Sequence, residues 1–349
     1  MRLDLRLSLP VAAAWVVAVL VIGVPGWAPV IAIVLWLLAG VLTAIVLLRA
    51  RRVLASLALG CALAALCSTS VALHSEDRQP AMLREVAEQH ATVVATATTT
   101  SALRADADFF PATITRLEIN EEVLQLNSPA LIFTERSGFG GREEKSSDDQ
   151  RGSVAAFEES AVEPWGIGVE FSVTGTLAST EPGDGRAVLL FASEAPQWRA
   201  APEWQFDWAN QLRQTFAKAT AQLPGGGGQL LGGLAIGDTT AVSDDLDAAM
   251  KASSLRHLTA VSGANCAIVV GLIMALGARA GANRAVRIGL SILVLVAFVI
   301  VVTPDPSVLR AALMATFVLV ALGGGRPIRG MAVLSLATIG LLVFDPWLS

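Results

Sequence analysis

Cysteine and histidine are scarce in this chain, and their scarcity excludes several kinds of site. No Cys-x-x-Cys motif occurs, and the three cysteines lie in or beside apolar runs. The histidines are also three, and they stand far apart. The sequence therefore indicates neither a disulfide framework nor a metal cluster, and we expect no metal and no cofactor. The residues concerned are Cys61, Cys67, Cys266, His74, His90 and His257.

Signatures of nucleotide binding and of serine hydrolases are missing as well. The Gly323-Gly324-Gly325 run is not followed by Lys-Ser or Lys-Thr, so it is not a P-loop. No Gly-x-Ser-x-Gly elbow occurs. The sequence therefore contains no nucleotide-hydrolysis motif that could supply energy.

Charged residues make up only 16% of the chain, hydrophobic residues make up 54%, and the mean hydropathy is +0.60. This composition is too apolar for an ordinary soluble protein. Several apolar runs approach the roughly 17–25 residues that a membrane span needs. A second run follows the first almost at once, so we interpret the first as a retained helix rather than a signal peptide. We predict spans near Leu9–Val24, Val30–Leu48, Val53–Leu73, Leu258–Leu276, Ile288–Thr303, Ser307–Leu322 and Met331–Phe344.

The basic residues outside these runs predict their orientation. Arginines precede the first span and occupy every second connection, whereas the other short connections carry almost no base. Because basic loops stay in the cytoplasm, we predict a multi-pass plasma-membrane protein with a cytoplasmic N-terminus. The arginines are Arg2, Arg6, Arg49, Arg51, Arg52, Arg279, Arg284, Arg287, Arg326 and Arg329.

Residues 75–207 differ in character and are predicted to lie outside the cytoplasm. They contain ten Lys/Arg and 23 Asp/Glu, a net charge of −13. Alternating and β-branched runs predict an all-β domain, for which a five-stranded barrel of the oligonucleotide-binding (OB) type is one option. Residues 138–163 are predicted to be a disordered acidic loop. The predicted strands are Ala91–Thr100, Ala112–Ile119, Ala130–Thr134, Gly168–Leu177 and Ala187–Ala192.

The chain therefore divides into N-terminal membrane helices (1–74), the β domain (75–207) and a second membrane domain (208–349). Apolar residues at helical spacing predict that the second domain starts with an amphipathic helix. That helix lies on the outer membrane interface or packs on the bundle; capping of the β domain is the alternative. The residues of this stripe are Trp208, Leu212, Phe216, Ala219 and Leu223.

A polar strip, His257 to Cys266, stands at the head of an apolar run. Unpaired polar groups in lipid cost several kcal/mol, so we predict that His257, Ser262, Gly263 and Asn265 face protein or water. A hydrolase using Ser262 and His257 is the alternative, but five helical residues place two side chains about 140° apart. We therefore favour a lining or hinge over an active site.

Two charged residues near other apolar runs are further lining candidates. Arg310 either snorkels to the interface or faces the bundle interior, where it meets a passing phosphate. Asp238 follows Ile236-Gly237 and has a loop or cap position as its alternative role.

Three segments together resemble the ComEC family of competence proteins. They are Leu231–Thr239, Met250–Asn265 and Pro306–Met314. The resemblance implies an inner-membrane channel that passes one strand of transforming DNA, with an OB-like external domain, and hence transport rather than catalysis. His257, Ser262, Gly263, Asn265 and Arg310 match motif residues. Asn265 and Cys266 stand where a histidine is usual, and the family's nuclease motif, His-x-His-x-Asp-His, does not occur in this sequence.

The implied partners are single-stranded DNA, membrane lipid, other competence proteins, a separate nuclease and a further copy of the chain. DNA binding normally needs a basic surface, which the net charge of residues 75–207 opposes. We predict a local site made of arginines and stacking aromatics. Its candidates are Arg104, Arg116, Arg186, Phe133 and Phe171. A membrane-embedded serine hydrolase and a non-catalytic envelope scaffold or degenerate fragment are the alternative functions.

Overall fold

A computed structural model describes most of the chain in two compact units. The helical unit contains Met1–Asp77, Glu181–Gly185 and Val261–Ser349, and the barrel unit contains Arg78–Thr180 and Arg186–Ala260. The described residues are 7–49, 52–89, 91–101, 108–119, 122–134, 166–223, 227–239, 242–254, 263–302, 306–325 and 330–348. The predicted acidic loop, 138–163, lies outside them.

Helices outnumber strands in the described part of the chain. The helices are α1 (Ser8–Ile22), α2 (Ala28–Arg49), α3 (Arg52–Arg78), α4 (Ala81–Glu88), α5 (Trp204–Ala221), α6 (Gly227–Ile236), α7 (Asp244–Ala252), α8 (Gly263–Arg279), α9 (Arg284–Val301), α10 (Pro306–Gly323) and α11 (Gly330–Phe344). The strands are β1 (Thr92–Thr99), β2 (Phe109–Ile119), β3 (Glu122–Phe133), β4 (Glu170–Ser179), β5 (Val188–Ala192) and β6 (Gln197–Ala200).

Among the described residues, three stretches are long and apolar enough to cross a membrane: Pro25–Leu48, Leu54–Arg78 and Arg284–Val301. The other predicted spans correspond to shorter apolar helices of 10–17 residues. Many of the large apolar side chains on α2 are exposed, as is expected of a helix whose solvent is lipid. The chain is thus a membrane protein with a β domain, as the composition predicts.

Small residues let the helices of the helical unit approach closely. Ala14, Ala18, Ala64 and Cys67 pack with Leu342 and join α1, α3 and α11. The Ser70 hydroxyl donates a hydrogen bond of 2.6 Å to the Val343 carbonyl and ties α3 to α11. A second cluster joins α8, α9 and α10 through Cys266, Leu295, Val302 and Val308.

The barrel unit contains a closed five-stranded barrel. Its strands follow the order β1-β2-β3-β5-β4, and β1 also pairs with β4. The β3–β5 pair is parallel, and the other pairs are antiparallel. Strand β6 adds to β4 outside the barrel. Alternate residues point inward, which is why β1 shows strictly alternating burial.

The five predicted strands all occur, whereas two elements of residues 75–207 escaped prediction. Helix α4 is a two-turn helix after Pro80, and its Leu83, Val86 and Ala87 belong to the barrel core. Strand β6, which contains Trp198, lies beyond the last predicted strand. The domain is therefore not purely β. Strand β3 is longer than predicted: Leu124 and Leu126 alternate with Gln125 and Asn127, but the buried Ser128 and then Pro129 interrupt the apolar pattern before Ala130.

Candidate functional site

The polar strip is described only from Gly263 onward, so His257 and Ser262 lie outside the described residues. Gly263 begins α8, and a Cβ atom there would lie 3.1 Å from the Ala311 Cβ of α10. Asn265 is half-buried and Cys266 is buried beside α10. The small residues of the strip thus bring the start of α8 close to α10, as expected for a tightly packed helix entry.

Arg310 is exposed on the surface of α10. Val308, two residues earlier, is fully buried against α8 and α9. Two helical residues are about 200° apart, so Arg310 points away from the packed interface of these three helices. Arg310 is therefore not enclosed among α8, α9 and α10.

Asp238 lies in the barrel unit, where it follows the end of α6. Gly237 adopts a left-handed φ of 76°, and its N–H donates to the Gly233 carbonyl at 3.0 Å. This is the helix-ending motif that glycine favours. The Asp238 N–H donates to the Gly232 carbonyl at 3.2 Å. A Cβ on Gly232 would lie 2.7 Å from the Asp238 carbonyl oxygen, so the turn also requires glycine there.

The Asp238 carboxylate interacts electrostatically with the buried Arg213 of α5. Burial lowers the pKa of Arg213 to about 10, and the charge of Asp238 opposes that shift. Arg213 therefore stays cationic at neutral pH. Its Nη1 donates to Asn210 Oδ1 at 3.0 Å. Asn210 in turn bonds both backbone groups of Ile167, at 3.1 and 2.9 Å. Asp238 thus belongs to a polar network that holds α5 on the barrel.

An aromatic ladder crosses the outer face of the barrel. Phe109, Phe133 and Phe191 are register partners on β2, β3 and β5. The ring centroids of Phe133 and Phe191 are 5.0 Å apart and nearly parallel, and those of Phe109 and Phe133 are 5.9 Å apart. Phe109 is 55% exposed and Phe191 is 44% exposed. Pro111, Leu131 and Leu189 continue this apolar face toward the middle of the strands.

The other predicted DNA-binding residues are dispersed. Phe171 is fully buried, with its ring 5.6 Å from that of Phe110 in the core; this burial removes it from the candidate stacking surface. Arg116 is exposed but lies seven residues along β2 from Phe109, about 23 Å away at strand spacing. Arg186 is exposed in the β4–β5 connection. Arg104 lies outside the described residues.

Phe191 is the ladder residue that the sequence prediction missed. Its strand was predicted, and Leu190 beside it is fully buried. Strand alternation therefore assigns Phe191 to the outer face. What the sequence could not supply is the parallel pairing of β5 with β3, which places Phe191 beside Phe133.

Residues 234–349 match the family described as competence protein. The matched segment contains Asp238, Gly263, Asn265 and Arg310. No curated protein and no solved structure matches the chain.

Proposed function

Residues 234–349 belong to the competence protein family, and from this premise we propose that the chain is an inner-membrane channel component for uptake of single-stranded transforming DNA. The family match carries the proposal, because it coincides with a membrane protein that bears a separate barrel. We further propose the multi-pass orientation that the arginines predict, with residues 75–207 outside the cytoplasm. The proposed role is transport, with other competence proteins and a nuclease activity as its partners.

The strand order of the barrel supports an OB-type assignment. Five strands close through a β1–β4 pair, and β3 runs parallel to β5. Barrels of the OB type bind oligonucleotides on the face formed by their second and third strands. Phe109 and Phe133 lie on those two strands. The ladder therefore occupies the face on which this type of barrel binds its ligands.

The ladder offers what unpaired bases need. Nucleobases stack on aromatic side chains with little sequence preference, and Phe109 and Phe191 leave much of their surface open to solvent. Arg104 lies five residues before Phe109 in the sequence and is our candidate for a nearby phosphate contact. In the proposed complex, stacking on the ladder offsets part of the repulsion between DNA and a domain whose net charge is −13.

We predict that Phe191→Ala weakens binding of a fluorescent oligothymidylate by about 5- to 150-fold, since stacking contributes about 1–3 kcal/mol per base. The measurement is fluorescence anisotropy with the full chain in nanodiscs. Val123→Ala is the matched control, because Val123 is an exposed apolar residue of β3 outside the ladder. Equal affinities of both variants and the wild type would contradict a stacking role for the ladder.

The channel role predicts that deletion of the complete gene abolishes uptake of labelled DNA and that complementation restores it. Wild-type uptake in the deletion strain would overturn the proposal.

Within the complemented strain, Arg310→Gln is expected to lower uptake several-fold and Arg310→Lys to retain most of it, because a cation at this exposed position attracts phosphate. Equal uptake by these two variants would remove Arg310 from the path but leave the channel role standing.

A further inference from the structure

Helix α5 presents three different faces. Its barrel-facing side is partly polar and buries Ala209, Asn210, Arg213 and Thr220. A second side, centred about 60° from Trp204 around the helix, is apolar and open. A third side is open and polar. The apolar side contains Trp204, Trp208, Leu212 and Ala219, and Leu223 follows two residues after the helix ends; the polar side contains Asp207, Gln211, Gln214 and Lys218.

The barrel fixes which way the apolar side points. Asn210 bonds the backbone of Ile167. A Cβ on Gly166 would lie 2.5 Å from Asn210 Cγ, and one on Gly168 would lie 2.9 Å from the Phe206 ring. Gly168 also has a φ of +82°. These close contacts hold α5 in one rotation about its axis. Leu212 therefore points away from the barrel because Asn210 and Arg213 point toward it.

The exposed apolar surface extends beyond α5. Trp204 is 80% exposed, Leu212 50% and Leu223 47%. Helix α6 packs against α5, and a Cβ on its Gly228 would lie 2.3 Å from the Thr220 carbonyl. Leu231 and Leu234 of α6 are exposed as well. Two packed helices thus share apolar surface that the described residues of this chain leave uncovered.

Lipid is the occupant that the sequence around this surface favours. The barrel unit is joined at both ends to apolar helices of the helical unit, α3 before it and α8 after it. Of these two helices, α3 is long and apolar enough to cross a membrane, and α8 is a shorter apolar helix. Tryptophan concentrates at membrane–water interfaces, and an amphipathic helix binds there with its apolar side inward and its polar side in water. Trp204 and Trp208 on the apolar side, with Gln211 and Lys218 on the polar side, fit this arrangement.

We propose that the apolar side of α5, together with Leu231 and Leu234 of α6, rests on the lipid surface of the membrane. Helix α5 then has two functions: its polar inner side holds the barrel and its apolar outer side anchors the barrel unit to lipid. The two helix placements predicted from sequence, capping of the β domain and lying on the membrane interface, hold at the same time. This inference does not depend on the proposed DNA channel.

The test compares adjacent positions on two sides of α5. p-Acetylphenylalanine replaces Leu212 in one variant and Gln211 in another, and each ketone is coupled to a nitroxide, so the native cysteines stay. The full chain is reconstituted in phosphatidylcholine–phosphatidylglycerol vesicles, and collision with oxygen and with a water-soluble nickel chelate is measured. We expect the oxygen-to-nickel ratio to be several-fold higher at position 212 than at position 211. The pair Ala219 and Lys218 repeats the comparison in case one substitution disturbs the fold.

Two results would overturn the lipid contact. Equal, nickel-favouring ratios at positions 212 and 211 would show that the apolar side is wet. Protection of position 212 from both reagents would show a protein or DNA partner instead; dilution of the chain in the vesicles and addition of an oligonucleotide then separate these two. Loss of DNA uptake with an intact lipid signature would count against the channel and leave this inference standing.

Discussion

Arg213→Met is expected to lower the free energy of unfolding of the barrel unit by about 2–4 kcal/mol. Breaking a buried charge pair costs about 3–5 kcal/mol, and leaving a buried polar group unsatisfied costs about 1–3 kcal/mol. Arg213 is 5% exposed, whereas Asp238 is only half-buried and recovers part of its hydration. Methionine keeps the bulk of the side chain, so the loss comes from charge and hydrogen bonding rather than from a cavity.

Hydrogen exchange of the full chain in detergent measures this effect at the amides of α5, α6 and the Ile167 segment. Lys218→Met is the matched control, because it removes the same charge from an exposed position of the same helix. Substitutions at such positions change stability by about 0.5 kcal/mol or less. In the Arg213→Met background, Asp238→Asn is expected to have a smaller effect than in the wild type. Similar protection in the Arg213→Met variant and the Lys218→Met control would refute the network.

Gly175→Val is expected to destabilise the barrel by about 3 kcal/mol or more. A Cβ at this position would lie 2.2 Å from the Phe191 carbonyl oxygen and 2.8 Å from its carbonyl carbon. These are backbone atoms of β5, so no side-chain rotation relieves the clash. Overpacking a core with flexible neighbours costs about 1–3 kcal/mol, and a backbone clash exceeds that range. The β4–β5 pair must separate, and Phe191 then leaves its place beside Phe133.

Two readouts check the glycine prediction in the same preparation. Hydrogen exchange reports loss of protection in β4 and β5, and oligothymidylate anisotropy reports loss of the ladder. Gly183→Val is the control, because no atom lies within 4 Å of a Cβ built there. Unchanged protection in the Gly175→Val variant would mean that β5 moves away from the new side chain without loss of stability. That result would contradict the prediction.

The elements with strong local patterns could be predicted from the sequence. Alternating and β-branched residues predicted β1 and β4, and uninterrupted apolar runs predicted α2 and α3. The buried position of Phe171 was also readable, since it shares a strand face with Val173 and Leu177, which are likewise buried. The stacking prediction at Phe171 failed because it considered residue type without strand face.

The rest depends on contacts between distant parts of the chain. The apolar stripe of α5 faces away from the barrel, and the side against the barrel carries Asn210 and Arg213, which reverses the usual burial of a helix's apolar side. That inversion arises because the backbone of Ile167 needs hydrogen-bond partners. Likewise, Asp238 acquires its partner only when α5 and α6 pack together. Local periodicity contains no information about either contact.

The strand order of the barrel also determines when it can fold. Strand β1 pairs with β4, although Thr92 and its partner Thr176 are separated by more than 80 residues. The β1–β2–β3 meander can form from neighbouring segments, but its two free edges stay open until β4 and β5 exist. Pairings between such distant segments form slowly. During synthesis the three-stranded meander therefore has two unpaired edges until β4 and β5 are made, and exposed sheet edges are prone to association. Lengthening residues 135–165 would delay closure only slightly, because loop-closure entropy grows with the logarithm of length.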